Sequence, residues 1–264
     1  MPARASRVTP SSPRIPAMPL SATPDLQQAF APTGVLRASI NLGNPILAGR
    51  DAAGELAGVS VDLARALAGR LGLPVELLPF EKAMKSVEAV KAEAADVGFF
   101  AIDPARSEGL RFTAPYVLIE GSYLVLASSP VQDNAELDRA GTRIAVGTGS
   151  AYDLFLTREI TAAQIERVAS AEAVRQSLLA GQVQVAAGIR QLLAEWAATD
   201  ATLRLLPGRF MVIQQAMGLP AGRGDAAAQA LADFVEEMKA SGFVADALTR
   251  HGIAGASVAP AGAG

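Results

Sequence analysis

From residue 35 onward the sequence alternates between strand-like and helix-like segments, and this alternation constrains the fold more than any other feature. VLRASI (35–40) predicts a short strand. GVSVDLARALAGRLG (58–72) predicts a helix with Leu63, Leu67 and Leu71 on one stripe. Gly72 stands where a helix should stop, and Pro74 follows it. PVELLPF (74–80) again reads as strand, and 83–94 as a helix with apolar Met84, Val87 and Val90. DVGFFAI (96–102) is a continuous apolar run, as expected of a strand covered on both faces. A β-α-β-α-β order implies a parallel sheet with right-handed crossovers.

A second series follows SYLVLAS (122–128), with strands predicted at 143–147, 164–169, 183–188 and 202–208. Helices are predicted between them at 150–160, 171–181 and 189–198. After an extended stretch (210–220) come two further helices, 225–242 and 243–252. Two α/β units with helices left over predict two lobes and a cleft between them.

Composition removes several classes of function. The chain has 264 residues, half of them hydrophobic, and a net charge of −3, which offers no electrostatic footprint for nucleic acid or anionic membrane. It has no cysteine, so disulfides, thiol nucleophiles and cysteine-ligated metals are excluded. A single histidine, His251, argues against histidine-rich metal sites and reads as a solvated residue at a helix end. No stretch approaches the roughly 20 apolar residues of a membrane span. Residues 1–29, rich in Pro, Ser and Arg at their start, read as a disordered lead, and 253–264 as a flexible tail. The lead lacks the continuous apolar core of a secretory signal.

The stretch VGFFAIDPARSEGLRFTAPY (97–116) ends a buried strand on Asp103 and Pro104 and places Arg106 just beyond. Arg106 has two readings. It is either a surface arginine pairing with Glu108 or a fixed clamp for an anion. Its guanidinium offers a planar, always-charged fork, and the Asp-Pro step can start a short helix whose free N–H groups favour the same anion. Ser150, before the helix beginning at Ala151, suits an N-cap.

Three segments carry a resemblance. GELAGVSVDLARALAGRLGLPVELL (54–78), AIDPARSEGLRFTAPY (101–116) and DRAGTRIAVGTGSAYD (138–153) occur in order and spacing similar to the family 3 extracellular solute-binding proteins, the amino-acid-type binding components of ABC importers. The resemblance implies the type 2 periplasmic-binding-protein fold, in which each of two lobes is a mainly parallel sheet flanked by helices. Lobe 1 would take 30–118 plus 217–252, lobe 2 would take 123–212, and 119–122 and 213–216 would be the hinge strands. It implies a monomer without cofactor or metal, a small anionic or zwitterionic organic ligand, and an ABC permease as partner. A periplasmic location follows from the family and a cytoplasmic one from the lead, so both stand.

By the same resemblance Arg106 grips a ligand carboxylate, and Thr148, Gly149, Ser150 and Ala151 present N–H and hydroxyl groups to it from lobe 2. The sequence also departs from the family. Where amino-acid binders place an aspartate for the ligand ammonium, this chain has Gly188, Ile189 and Arg190, and an unpaired ammonium there would cost several kcal/mol. Where the family has an aromatic clamp, it has Asn44, near Asn41, and Lys82 to Lys85. The asparagines are either ligand contacts or turn residues, and Lys82 and Lys85 either second cations or exposed helical lysines. Glu120 either accepts a ligand hydroxyl or pairs with a neighbouring cation. Gln214 and Gln215 are weak candidates on the return hinge, while Met211 and Met217 read as core. The expected ligand is a small polar carboxylate other than a standard α-amino acid. Two rivals remain: a sensory binding module, and a cyclohexadienyl-dehydratase-like lyase with Asp103 or Glu120 as general acid.

Overall fold

The structure, a computed structural model, describes residues 22–262. In its first half, strand β1 (Leu36–Asn41) lies between β4 (Val75–Phe80) and β5 (Val97–Ala101), parallel to both. Helices α2 (Val59–Leu71) and α3 (Ala83–Lys91) make the crossovers. A two-strand hairpin, β2 (Gly49–Arg50) with β3 (Leu56–Ala57), precedes α2. Every residue of β5 is buried, which accounts for its unbroken apolar run. Gly72 ends α2 with φ 65°, the left-handed cap its position predicts.

After the short helix α4 (Pro104–Ser107), strand β6 (Leu110–Leu126) runs for 17 residues and leaves the first half. The second half pairs β7 (Arg143–Gly147) in parallel with β8 (Gln164–Val168) and β9 (Val185–Ile189). Helices α5 (Ala151–Glu159), α6 (Ala171–Leu179) and α7 (Arg190–Thr199) flank these strands, and β10 (Leu203–Leu205) adds to the far end of β6. Strand β11 (Met211–Pro220) then returns antiparallel to β6 and β5. The sheet order is β4-β1-β5-β11-β6-β9-β7-β8, so two parallel units are joined through one long antiparallel pair. This is the two-lobed α/β architecture.

Helices α8 (Gly224–Ala240) and α9 (Phe243–Arg250) lie over the first half, α8 against α1 (Pro24–Phe30) and β6, and α9 against α2. The fully buried Phe30, Tyr116, Phe234 and Met217 belong to one apolar core, and half-buried Met211 packs against it.

The ends differ from expectation. Residues 1–21 of the expected lead lie outside the described residues, but 24–30 form α1, capped by Thr23 and docked through Phe30. The reason is burial: Phe30 is 1% exposed and the Gln27 amide donates to Leu71 O at 2.7 Å. Residues 257–258 of the expected flexible tail form β12 (Ser257–Val258) beside Leu118 and Val117 of β6. Ala259 N–H then donates to Tyr116 O at 3.0 Å, and Lys239 Nζ donates to Pro260 O at 2.9 Å. Backbone pairing, which needs no large side chains, orders this Gly/Ala-rich stretch. His251 is partly buried and bonded to Asp62 at 2.8 Å rather than solvated.

One loop contact sets a pH-dependent stability. Asp138 accepts from the backbone N–H groups of Thr161, Ala162 and Ala163 and from the Thr161 hydroxyl, and these bonds hold its carboxyl far below the ordinary range. A depressed folded-state pKa stabilises above the unfolded value and is lost as pH falls. Asp138→Asn is therefore expected to lower Tm at pH 7, with the deficit shrinking as pH drops below about 4. Thermal melts at both pH values check this.

Candidate functional site

The cleft lies where the C-terminal end of β5 meets the start of α5 from the other half. Asp103 caps α4, its carboxylate accepting from Ala105 N–H at 2.9 Å, with Pro104 at the first helical position. This turn carries Arg106 inward, where it is only 4% exposed. Its guanidinium donates to Ala101 O at 3.3 Å and, across the cleft, to Gly149 O at 3.0 Å. Among the described residues its Nε has no partner, and no carboxylate lies within ion-pair distance of it. Burial pushes the guanidinium below its ordinary pKa, and the nearby Asp103 charge opposes that. Glu108, the surface partner considered for it, is exposed at the end of α4.

Around Arg106 the pocket is lined by Asn41, Asn44, Ser150, Ala151, Tyr152 and Gln215, together with the apolar Ile189 and Ile213. Arg106 is the only charged side chain among its lining residues. The room inside is about 50 Å³, enough for a few heavy atoms. A larger chamber of about 450 Å³ adjoins it, sharing Gly43, Ala83, Ser150 and Tyr152, and reaches Lys82, Thr148 and the start of α6.

Each asparagine serves its turn through Oδ1, Asn41 accepting from Gly43 N–H and Asn44 from Ile46 N–H, which leaves both Nδ2 groups without a partner among the described residues. The turn and contact readings are thus compatible. Ser150 caps α5 by accepting from Asp153 N–H at 3.1 Å while lining the pocket. The N–H groups of the first helical turn, including Ala151, have no intrahelical acceptor.

The remaining expected residues are placed elsewhere. Gly149 donates its N–H to Asp153 at 2.8 Å, so it contributes its carbonyl to Arg106 rather than an N–H to a ligand. Thr148 lines the outer chamber and donates its hydroxyl to Val168 O at 2.9 Å. Asp103 turns away from the pocket to pair with Arg158 at 2.9 Å. Lys85 points outward and pairs with Glu88 one helical turn on, at 2.8 Å. Glu120 pairs with Arg209 at 2.6 Å, and Arg190 lies 3.6 Å from it while also bonding Ser122 and Gly208 O. The pairing of Gly121 with Ile189 brings Arg190 beside this cluster, so neither Glu120 nor Arg190 lines the pocket.

Two lining residues carried little signal in the sequence. Gln215 is 6% exposed and its side-chain amide has no partner among the described residues, whereas Gln214, on the opposite face of β11, is exposed. Strand alternation from buried Ile213 distinguishes the two. The second is Tyr152. Burial raises its pKa against hydrogen bonds with Ser150 and the Gly147 backbone. Its signal was its place two residues after Ser150 in a chain with three tyrosines.

A two-lobed α/β frame with a polar cleft between the lobes defines a ligand-binding protein of the type 2 periplasmic-binding-protein class. The chain belongs to the bacterial extracellular solute-binding proteins, family 3, whose model matches residues 36–252. Among solved structures it resembles the solute receptor for L-cysteine of Neisseria gonorrhoeae, with 24% identity, TM-score 0.71, and 84% of this chain and 92% of that one covered. It also resembles a putative ABC-transporter binding component from Wolinella succinogenes complexed with lysine, with 20% identity, TM-score 0.71, and coverage of 83% and 95%. A third is an ancestral amino acid-binding protein, a precursor of cyclohexadienyl dehydratase, with 19% identity, TM-score 0.70, and coverage of 85% and 98%. These likenesses establish a shared fold. No helix among the described residues is long and apolar enough to cross a membrane.

Proposed function

We propose that this protein captures a small, polar, carboxylate-bearing molecule between its lobes and hands it to an ABC importer on the outer side of the cytoplasmic membrane. The observation that carries this reading is Arg106, a buried cation with no carboxylate partner and an unbonded Nε among the described residues, and a polar pocket in front of it. A desolvated, unpaired charge is costly, and an anionic guest relieves that cost. Gln215 and the two asparagine Nδ2 groups add neutral donors for hydroxyl or keto oxygens.

The absence of any carboxylate from the inner lining disfavours an α-ammonium beside the bound carboxylate. That separates this chain from relatives whose ligands are lysine or L-cysteine. The ligand class is therefore a hydroxy, keto or dicarboxylic acid. A lyase reading lacks support, because Asp103 and Glu120 are both held in ion pairs outside the pocket.

Calorimetric titration of the purified protein with a panel of organic acids and the standard amino acids tests this. Saturable binding is expected for one or more organic acids and not for amino acids. Micromolar binding of an ordinary α-amino acid overturns the ligand class.

A further inference from the structure

The two lobes touch at a second point outside the pocket. Arg158, in the last turn of α5, reaches across to Asp103 and makes a two-pronged contact, Nη1 to Oδ1 at 3.2 Å and Nη2 to Oδ2 at 2.9 Å. Asp103 sits at the head of α4 and Arg106 on its third residue, so α4 is fastened to the second lobe twice. Arg106 holds Gly149 just before α5 begins, and Asp103 holds Arg158 near its end. Neither Asp103 nor Arg158 lines the inner pocket or the outer chamber.

We propose that Asp103 and Arg158 form a clasp that biases the lobes toward closure before any ligand arrives, and that keeps Arg106 available to the guest. Asp103 is the carboxylate whose charge acts on Arg106. With both its oxygens engaged by Arg158, and one also capping α4, that carboxylate does not fold back as an internal substitute for the ligand. Asp103 is thus a positioning residue for Arg106 rather than a ligand contact. The geometry favours an appreciable effect, since its carboxylate side chain is 5% exposed and the contact is bidentate. Arg158 is 42% exposed, so the clasp is open to salt and remains reversible. A ligand that gains a pre-closed partner binds with less of its own affinity spent on closure.

The inference rests on the lobes moving relative to each other, as the proposed function requires, but not on which molecule they capture. Its test uses ligand-free protein. Because the chain has no cysteine, spin labels can be placed at Glu76→Cys and Glu166→Cys, exposed positions on β4 and β8 at opposite ends of the sheet. Pulsed electron resonance then reads the distance between lobes. A short-distance population is expected in the parent at low salt. Arg158→Gln, or about 1 M NaCl, should reduce the ratio of short to long distances roughly three- to tenfold. Arg158→Lys should retain part of the bias. A residue that merely stabilises α5 would change Tm and leave the distances alone. Identical distributions for the parent and Arg158→Gln at both salt levels overturn the clasp, as does a parent that is fully open at low salt. Should Arg158→Gln fail to fold, the salt response of the parent decides. A failed organic-acid titration overturns the ligand class without altering any of these distances.

Discussion

Replacing Arg106 with alanine is expected to cost binding about 2–5 kcal/mol, which is roughly 30-fold to several-thousandfold in Kd. The loss is large because the guanidinium is desolvated and the pocket around it has no second cation to take over. Stability should behave differently. Arg106 has no ion-pair partner within 4 Å among the described residues and keeps an unsatisfied Nε, so its removal strands no buried counter-charge. The melting temperature of ligand-free Arg106→Met, which keeps most of the volume, should stay near that of the parent or rise. The stabilisation that ligand adds should vanish. Calorimetry and melts with and without the best organic acid of the panel read both effects. Parental affinity in Arg106→Ala would remove the basis of the proposed function.

Gly149→Ala is expected to weaken ligand binding about tenfold or more through a clash between the lobes, and separately to lower the melting temperature through backbone strain. Gly149 has φ 72°, a left-handed conformation that costs an alanine about 1 kcal/mol. A Cβ at this position would also stand 2.4 Å from Met84 Cγ and 3.1 Å from its Sδ. Met84 belongs to α3 in the first half, so the collision is between lobes and worsens as they close. Met84 is 45% exposed and flexible, so it can swing into solvent, at the expense of its packing on the opposite lobe. The double variant Gly149→Ala, Met84→Ala should recover the affinity and leave the loss of melting temperature. Equal affinities for the single and double variants would show that the lobes do not approach as the structure has them.

The frame was legible because its signals are local. The β5 run, the Leu63–Leu67–Leu71 stripe and the Gly72 stop each specify an element without knowledge of its neighbours. The unbroken length of β6 was not legible, because nothing local marks where a strand passes from one lobe to the next. The same division applies to the cleft. Arg106 and Ser150 are fixed by the turns they sit in, and they line the pocket together. Asp103, Glu120 and Arg190 are charged residues near the right elements, and their direction depends on partners far away in sequence: Arg158 for Asp103, Arg209 for Glu120, and the Ser122–Gly208 corner for Arg190. Gln215 shows the converse. A residue with no partner can be recognised only once the whole surround is known.

The strand β12 gives the molecule a practical handle. It adheres to β6 at Val117 and Leu118, where β6 also holds Gln215 and Gln214 of β11 on its other side, so three strands run side by side there. A probe carried on this strand would ride with the first wing, because β6 holds β12 and Lys239 of α8 holds the residue two beyond it. It would mark that wing's position and serve as a reference point against which any travel of the other wing can be measured.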